Sequence, residues 1–315
     1  MSTLFTNFFE KINQISPLEH EFTEVLEAIA LKPKTLYFRG KLPENMVKKP
    51  KNKTEQTRTK RPKTVAIVGS RHNTRYGEEI AYKLAYELAK KGVVIVSGLA
   101  YGIDSIGHKG CLAAGGTTVA VLGTPINRIY PQNHLPLAKE IIEKGGAIIS
   151  EYAPGSEVFP KTSFLERNRL ISGLSDVVVV VEAAEKSGSL NTATHALEQG
   201  KTVFAVPGNI TNPYSQGCNK LIKQGALPYT EPKDILELLF PEDYVKKHKK
   251  LKQQNLIGDT DVETLILQAL ASGLRSGEEI MKATNLPPEV FNQTVTLLEI
   301  KGRLRSLGMN HWGLI

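Results

Sequence analysis

Five short stretches concentrate the residue types that bind or transform ligands. They read GSRHNTRYG (69–77), SGLAYGID (97–104), GTPINRIYPQN (123–133), EYAPGSEVFPKTSFLERNR (151–169) and EAAEKSGSLNT (182–192). In the first, second and fifth, glycine and serine precede a run that reads as a helix. Such a loop turns free backbone N–H groups toward an anion, and glycine lets a ligand approach the backbone closely. The candidates are Gly69, Ser70 and Arg71, then Gly98, Leu99 and Gly102, then Ser187, Gly188 and Ser189. Arg71 adds a planar, permanently charged group suited to phosphate. For one loop, turns and caps are the plainer explanation, with Asp104 as an N-cap. Three such loops together favour phosphate.

The fourth stretch holds Phe159, Phe164, Arg167 and Arg169 within eleven residues of a chain that is only 7% aromatic. Rings stack bases and guanidinium groups hold a backbone, a combination that suits single-stranded nucleic acid. The competing roles are core filling for the rings and ion pairing for the arginines. Two arginines so close on a helix start cannot face the same way. One is expected to meet ligand while the other braces the fold.

Other chemistries find little support. G-x-G-x-x-G is absent. The nearest approach to a Walker A motif, GIDSIGHK (102–109), has His108 where lysine is needed. No kinase, zinc-hydrolase or nucleophile-elbow motif occurs. His72, His108, His134 and His195 are scattered. Asp104 and Glu182 have the chemistry of general bases, although caps and ion pairs are the commoner use of such acids. Cys111 and Cys218 are too few for a disulfide framework or a four-cysteine zinc site, and are expected to be small buried hydrophobes. No catalytic residue, metal or cofactor is expected.

The elements that must position the five loops alternate regularly. TVAIVGS (64–70), VVIVSG (93–98), TTVAVLG (117–123), AIISEY (147–152), DVVVVVEA (176–183) and TVFAVPG (202–208) read as strands. Between and after them, 78–92, 104–116, 135–146, 167–175, 189–200 and 218–225 read as helices. Continuous Val/Ile runs imply strands covered on both faces. Their alternation with helices predicts an α/β fold, Rossmann-like and doubly wound, with a mostly parallel sheet. In such a sheet ligands bind at the carboxyl ends of the strands, where all five loops lie.

At 315 residues the chain suits about two domains, and 41% apolar residues allow packed cores. The expected division is an N-terminal extension (1–45) with a helix at LEHEFTEVLEAIAL and a short strand at TLYFRG. A basic linker (46–63), the Rossmann-like domain (64–240), a second basic linker (241–258) and a small winged-helix domain (259–315) follow. Three short helices (261–272, 276–285, 287–302) and a hairpin (303–315) suggest that last domain. The net charge of +8 is concentrated: residues 48–63 hold eight basic residues and one acid, and 246–252 hold five lysines. Basic runs attract nucleic acid or are simply solvated linkers. The third C-terminal helix, PPEVFNQTVTLLEI, has two acids and no base, which favours protein contact over duplex reading. No apolar run reaches the ~18–20 residues of a membrane helix and no secretory signal is visible. A cytoplasmic protein without membrane contact is expected.

Taken together, GSR (69–71), SGLAYGIDSIGH (97–108), VLGTPINRIYPQN (121–133), FLERNRLISGLS (164–175), VVEAAEKSGSLNTATHALEQGKTVFAVPG (180–208) and GCNKLIKQGA (217–226) resemble the DNA-processing protein A family (DprA/Smf). The resemblance runs over about residues 35–240, and the C-terminal pattern also resembles many members. It implies a Rossmann-like homodimer that binds single-stranded DNA, protects incoming DNA in natural transformation and helps to load the recombinase RecA, without a cofactor or a catalytic step. It places Arg71, the Gly98–Gly102 loop, Lys161, Phe164, Arg167, Asn168 and Arg169 in the DNA pocket. Leu165 and Glu166 after Phe164, and Gln132 after Pro131, depart from the family pattern, and the basic insert 48–63 is a candidate source of the missing charge. A nucleotide-processing enzyme of the phosphoribohydrolase type is the alternative, but its P-G-G-x-G-T motif is replaced here by EKSGSLNT.

Overall fold

The computed structural model describes residues 11–44, 61–242 and 256–314. They fall into two compact units that divide between Leu239 and Phe240. The strands of the first unit are β1 (Asn13–Ile15), β2 (Leu36–Gly40), β3 (Thr64–Val68), β4 (Val94–Ser97), β5 (Thr118–Leu122), β6 (Ala147–Ser150), β7 (Val177–Val180), β8 (Thr202–Ala205) and β9 (Leu227–Pro228). They form one sheet in the order β1-β2-β6-β5-β4-β3-β7-β8-β9. From β6 to β9 all neighbours are parallel, while β1 and β2 add an antiparallel edge. The doubly wound, mostly parallel α/β fold is therefore as the alternation of elements predicts.

Strand order reverses between β3 and β7. The chain builds outward from β3 through β4, β5 and β6, then returns to build the other way through β7, β8 and β9. Helices α1 (Arg75–Lys90), α2 (Ile103–Ala113), α3 (Leu135–Glu143), α4 (Pro160–Gly173), α5 (Gly188–Glu198), α6 (Gln216–Lys223) and α7 (Pro232–Leu239) complete the unit. Every residue of β3, β4, β5 and β7 is buried, which is why these strands are unbroken apolar runs and not alternating ones. Helix α1 shows the matching pattern. Ala81, Leu84, Ala85 and Leu88 share its buried face, and the Thr74 hydroxyl caps its start by accepting from the Gly77 amide.

Three local expectations change. The stretch 18–31 does not form an α-helix; it makes two 3-10 turns, Pro17–Glu19 and Glu24–Ala28. The Thr23 hydroxyl donates to the carbonyls of Pro17 and His20, and such side-chain bonding competes with helical pairing. Phe22 and Leu26 are nevertheless fully buried, so the apolar spacing serves packing rather than a helix. Helix α4 begins at Pro160 and not near Arg167, with proline at a position where its missing N–H costs nothing. Phe164 is thus a helical residue, not a loop residue.

The third change concerns charge. Arg61, expected in a basic linker, is bound into the sheet. Its Nη1 lies 3.1 Å from Asp176 Oδ1, and its Nη2 donates to Thr64 Oγ1 at 2.8 Å and to the Leu174 carbonyl. Asp176 in turn accepts from the Thr64 amide at 2.8 Å. This cluster ties the start of β3 to the start of β7. Residues 48–60 of the insert and the lysines of 246–252 lie outside the described residues.

The second unit contains α8 (Asp261–Ala271), α9 (Gly277–Thr284), α10 (Pro288–Ile300) and an antiparallel pair, β10 (Leu304–Gly308) and β11 (His311–Leu314). Ile266, Leu270, Ile280, Phe291, Val295, Leu298 and Leu304 form its own core. Asn285, at φ 54°, ends α9 in the left-handed region. Lys301 closes on Asp259 and Glu263 at 2.7 and 2.6 Å.

Removing the Arg61 guanidinium leaves Asp176 and the Leu174 carbonyl short of a donor. Arg61→Ala is expected to lower the thermal unfolding midpoint, corresponding to about 1–3 kcal/mol, while the circular dichroism spectrum stays that of a folded α/β protein. An unchanged midpoint would show that the cluster is only a surface contact.

Candidate functional site

A groove opens at the carboxyl ends of the strands, where their order reverses. Its walls come from the β3–α1 loop (Gly69, Ser70, Arg71, His72), the start of α2 (Ala100, Asp104), one face of α4 (Phe164, Leu165, Arg167, Asn168, Ile171), the β7–α5 loop (Ala184, Ser187, Gly188, Ser189) and, from farther along the chain, Tyr214. The cavity volume is about 390 Å³, near the lower end of the ~300–1,000 Å³ of small-ligand sites. This is the crevice that the topology of an open α/β sheet reserves for ligands.

The β3–α1 loop is held from beneath by Glu182. This buried carboxylate accepts from the Thr74 amide at 2.8 Å and the Thr74 hydroxyl at 2.6 Å, and its own carbonyl accepts from the Ser70 amide at 2.7 Å. The Ser70 hydroxyl accepts from the His72 amide at 3.0 Å. Arg71 is left exposed above this frame. Its guanidinium carbon sits 5.8 Å from the centre of the Phe164 ring, and among the described residues no carboxylate forms an ion pair with it. On the opposite wall the Ser187 hydroxyl caps α5 by accepting from the Ser189 amide. Asn168 Nδ2 donates to Gly188 O and Asn191 Oδ1 at 3.3 and 3.1 Å, so α4 and α5 are joined here.

Arg167 forms the floor. It is buried, and its Nη1 donates to the Gly98 carbonyl at 2.8 Å and to the Val121 carbonyl. Asp104, also buried, accepts from the Gly98 amide at 3.0 Å. Burial pushes the Asp104 carboxyl up; the charge of Arg167 and the amides of Ala100 and Gly98 pull it back. Burial also brings Arg167 down to about 10, with Asp104 opposing that shift, so the guanidinium is charged at neutral pH. Gly98 lies between these two side chains. A Cβ there would run into Arg167 Nη1 and come within 2.6 Å of Asp104 Oδ2.

Of the residues singled out in the sequence, the structure gathers Gly69, Ser70, Arg71, Phe164, Arg167, Asn168, Ser187, Gly188 and Ser189 around the groove. Others fall elsewhere. Leu99 is fully buried at φ 58° among Leu112, Leu122 and Ile126, and its role is packing. Gly98 and Gly102 support the wall without lining it. Gly102, at φ 73°, has the Ser70 carbonyl where a side chain would stand. Arg169 faces away: it donates to the Leu31 carbonyl at 2.7 Å and to both oxygens of Glu151 at 2.8 Å. Both arginines therefore brace the scaffold, where one was expected to be free for ligand. Lys161 is in the first turn of α4, and its side chain lies outside what the structure describes. Phe159 is 82% exposed and fills no core. Leu165, Ile171, Thr192 and Tyr214 were not anticipated. The early start of α4 would have revealed the first two. Tyr214 arrives through a backbone bond from the Ala183 amide to its carbonyl, a long-range contact without local sequence pattern. Among the described residues no group of three or more His, Cys, Asp or Glu side chains is placed to hold a metal ion, and no helix is long and apolar enough to cross a membrane.

The family described as DNA recombination-mediator protein A matches residues 13–240. Protein Smf of Escherichia coli is 52% identical over 176 residues, which is 56% of this chain and 46% of that protein. The chain spans less than two thirds of the length of the first curated relatives it matches. Among solved structures, DNA processing protein A from Helicobacter pylori, described for its single-stranded DNA binding mode, aligns at 30% identity with a TM-score of 0.61, covering 75% of this chain and 98% of that one. DNA processing protein A from Streptococcus pneumoniae aligns at 35% identity and a TM-score of 0.60, covering 73% and 75%.

Gly98→Ala is expected to force Arg167 and Asp104 apart and to cost about 1–3 kcal/mol of stability. In a double-mutant cycle with Arg167→Ala, the two losses should fall short of adding. Strict additivity in denaturant unfolding would show that the glycine is not held open by this pair.

Proposed function

The chain belongs to the DNA recombination-mediator protein A family, and from that premise we propose that its groove binds single-stranded DNA. The observation that carries the reading is the exposed Arg71 guanidinium set over the half-buried Phe164 ring, at the mouth of a groove faced by helix N-termini. A phosphate meets a cation and backbone amides there, and an unpaired base meets a ring. The DNA-binding mode described for the H. pylori relative supports the same reading.

The role is binding rather than bond making. Asp104 and Glu182, the two acids named as possible bases, are both held by backbone amides. The finer role follows from the family resemblance: a homodimer in the cytoplasm shields the bound strand and passes it to the recombinase RecA. Helix α10, without a basic side chain and with Leu297 and Ile300 exposed, supports protein contact over duplex reading for the second unit. A phosphoribohydrolase would release free base from nucleoside monophosphates, so measuring that release beside oligonucleotide binding separates the two.

Arg71→Ala is expected to weaken binding to oligothymidylate whatever the flanking sequence, and to lower the slope of log affinity against log salt by about 0.7. An unaltered slope would remove the phosphate contact from this account. Phe164→Ala is expected to cost about 1–3 kcal/mol for each stacked base lost, with the slope preserved. Fluorescence anisotropy at several salt concentrations measures both.

A further inference from the structure

We propose, building on the reading of the groove as a single-stranded DNA site, that the strand continues out of the groove onto the β5–α3 loop, with Tyr130 as a second stacking platform. The ring of Tyr130 lies 5.3 Å from that of Phe164, tilted by 43°. Sandwiching a base between two rings needs about 7 Å, two stacking steps of ~3.4 Å. Phe164 and Tyr130 therefore form neighbouring platforms and not a slot, and successive bases rest on one and then the other. The tilt also breaks the parallel stacking that duplex bases keep, so the pair of rings suits an unpaired strand.

Tyr130 is 47% exposed, yet it stands on a rigid loop. Ile126 is fully buried. Thr124 Oγ1 donates to the Arg128 carbonyl at 2.6 Å, and Ser150 Oγ donates to the Thr124 carbonyl at 2.6 Å. At the far end His134 Nδ1 is 2.8 Å from the Leu99 carbonyl, and its ring meets Tyr101 edge-on at 4.9 Å. An aromatic ring held in place but left open loses little entropy on receiving a base.

The test is fluorescence anisotropy with oligothymidylates of increasing length, on the full chain carrying Tyr130→Ala, Tyr130→Phe or Phe164→Ala. Tyr130→Ala is expected to lose roughly five- to a hundredfold in affinity for the longer oligomers, to keep wild-type affinity for the shortest that fill the groove, and to leave the salt slope unchanged. Tyr130→Phe, which keeps the ring, restores the loss. If Phe164→Ala weakens binding while Tyr130→Ala matches the wild type at every length, the second platform is wrong and the groove stands. If neither ring matters, the groove itself is misread and the extension goes with it.

Discussion

The buried guanidinium of Arg167 ties together two strand ends on the ligand-facing side of this sheet. Arg167 reaches from α4 to the carbonyls of Gly98 and Val121, which lie at the carboxyl ends of two adjacent strands, and Asp104, at the start of α2, accepts from the Gly98 amide beside it. Isolated buried charges are costly, so the cluster is tolerated only when each member is paired or hydrogen-bonded. The consequence is geometric. Phe164 sits one turn before Arg167 on the same face of α4, so anchoring the arginine sets the ring, which packs against Gly123 at the end of β5. The ring then meets Arg71 from the neighbouring loop. Ligand-facing chemistry is thus delivered by residues whose positions are decided underneath.

Cations are divided between two duties. Arg61, Arg167 and Arg169 are all committed within the first unit, to Asp176, to backbone carbonyls and to Glu151 respectively. Residue type alone does not distinguish a structural arginine from a ligand-binding one. What does is whether a carboxylate or an unpaired carbonyl lies within reach, and that is set by contacts between residues far apart in the chain. The same holds for acids: Glu182 carries the chemistry of a base but spends both oxygens on Thr74.

Much of the architecture was legible in the sequence because burial on both faces writes itself as Val/Ile runs, as in Val177–Val180. The convergence of the loops at 69–72 and 187–189 followed from sheet topology. The misread parts have separate causes. Phe164 falls in a loop when the helix is read from 167 onward, whereas the proline at the head of α4 fits a first helical turn and starts it at Pro160. The segment 18–31 reads as a helix in the sequence, whereas Thr23 bonds its side chain to the backbone and the segment folds as 3-10 turns. Leu99 and Arg169, which the family resemblance places at the pocket, are held instead by contacts with residues far along the chain. Strands β1 and β9 are too short to leave a pattern.

The outermost strand β9 has a consequence of its own. It is two residues long and one of them is Pro228, which has no amide hydrogen to offer. That margin of the sheet cannot recruit another extended segment through a ladder of main-chain bonds, the usual route to uncontrolled polymerisation in β-rich proteins. On that side, attachment of another molecule must use side chains on helices and loops, where shape and charge select the partner.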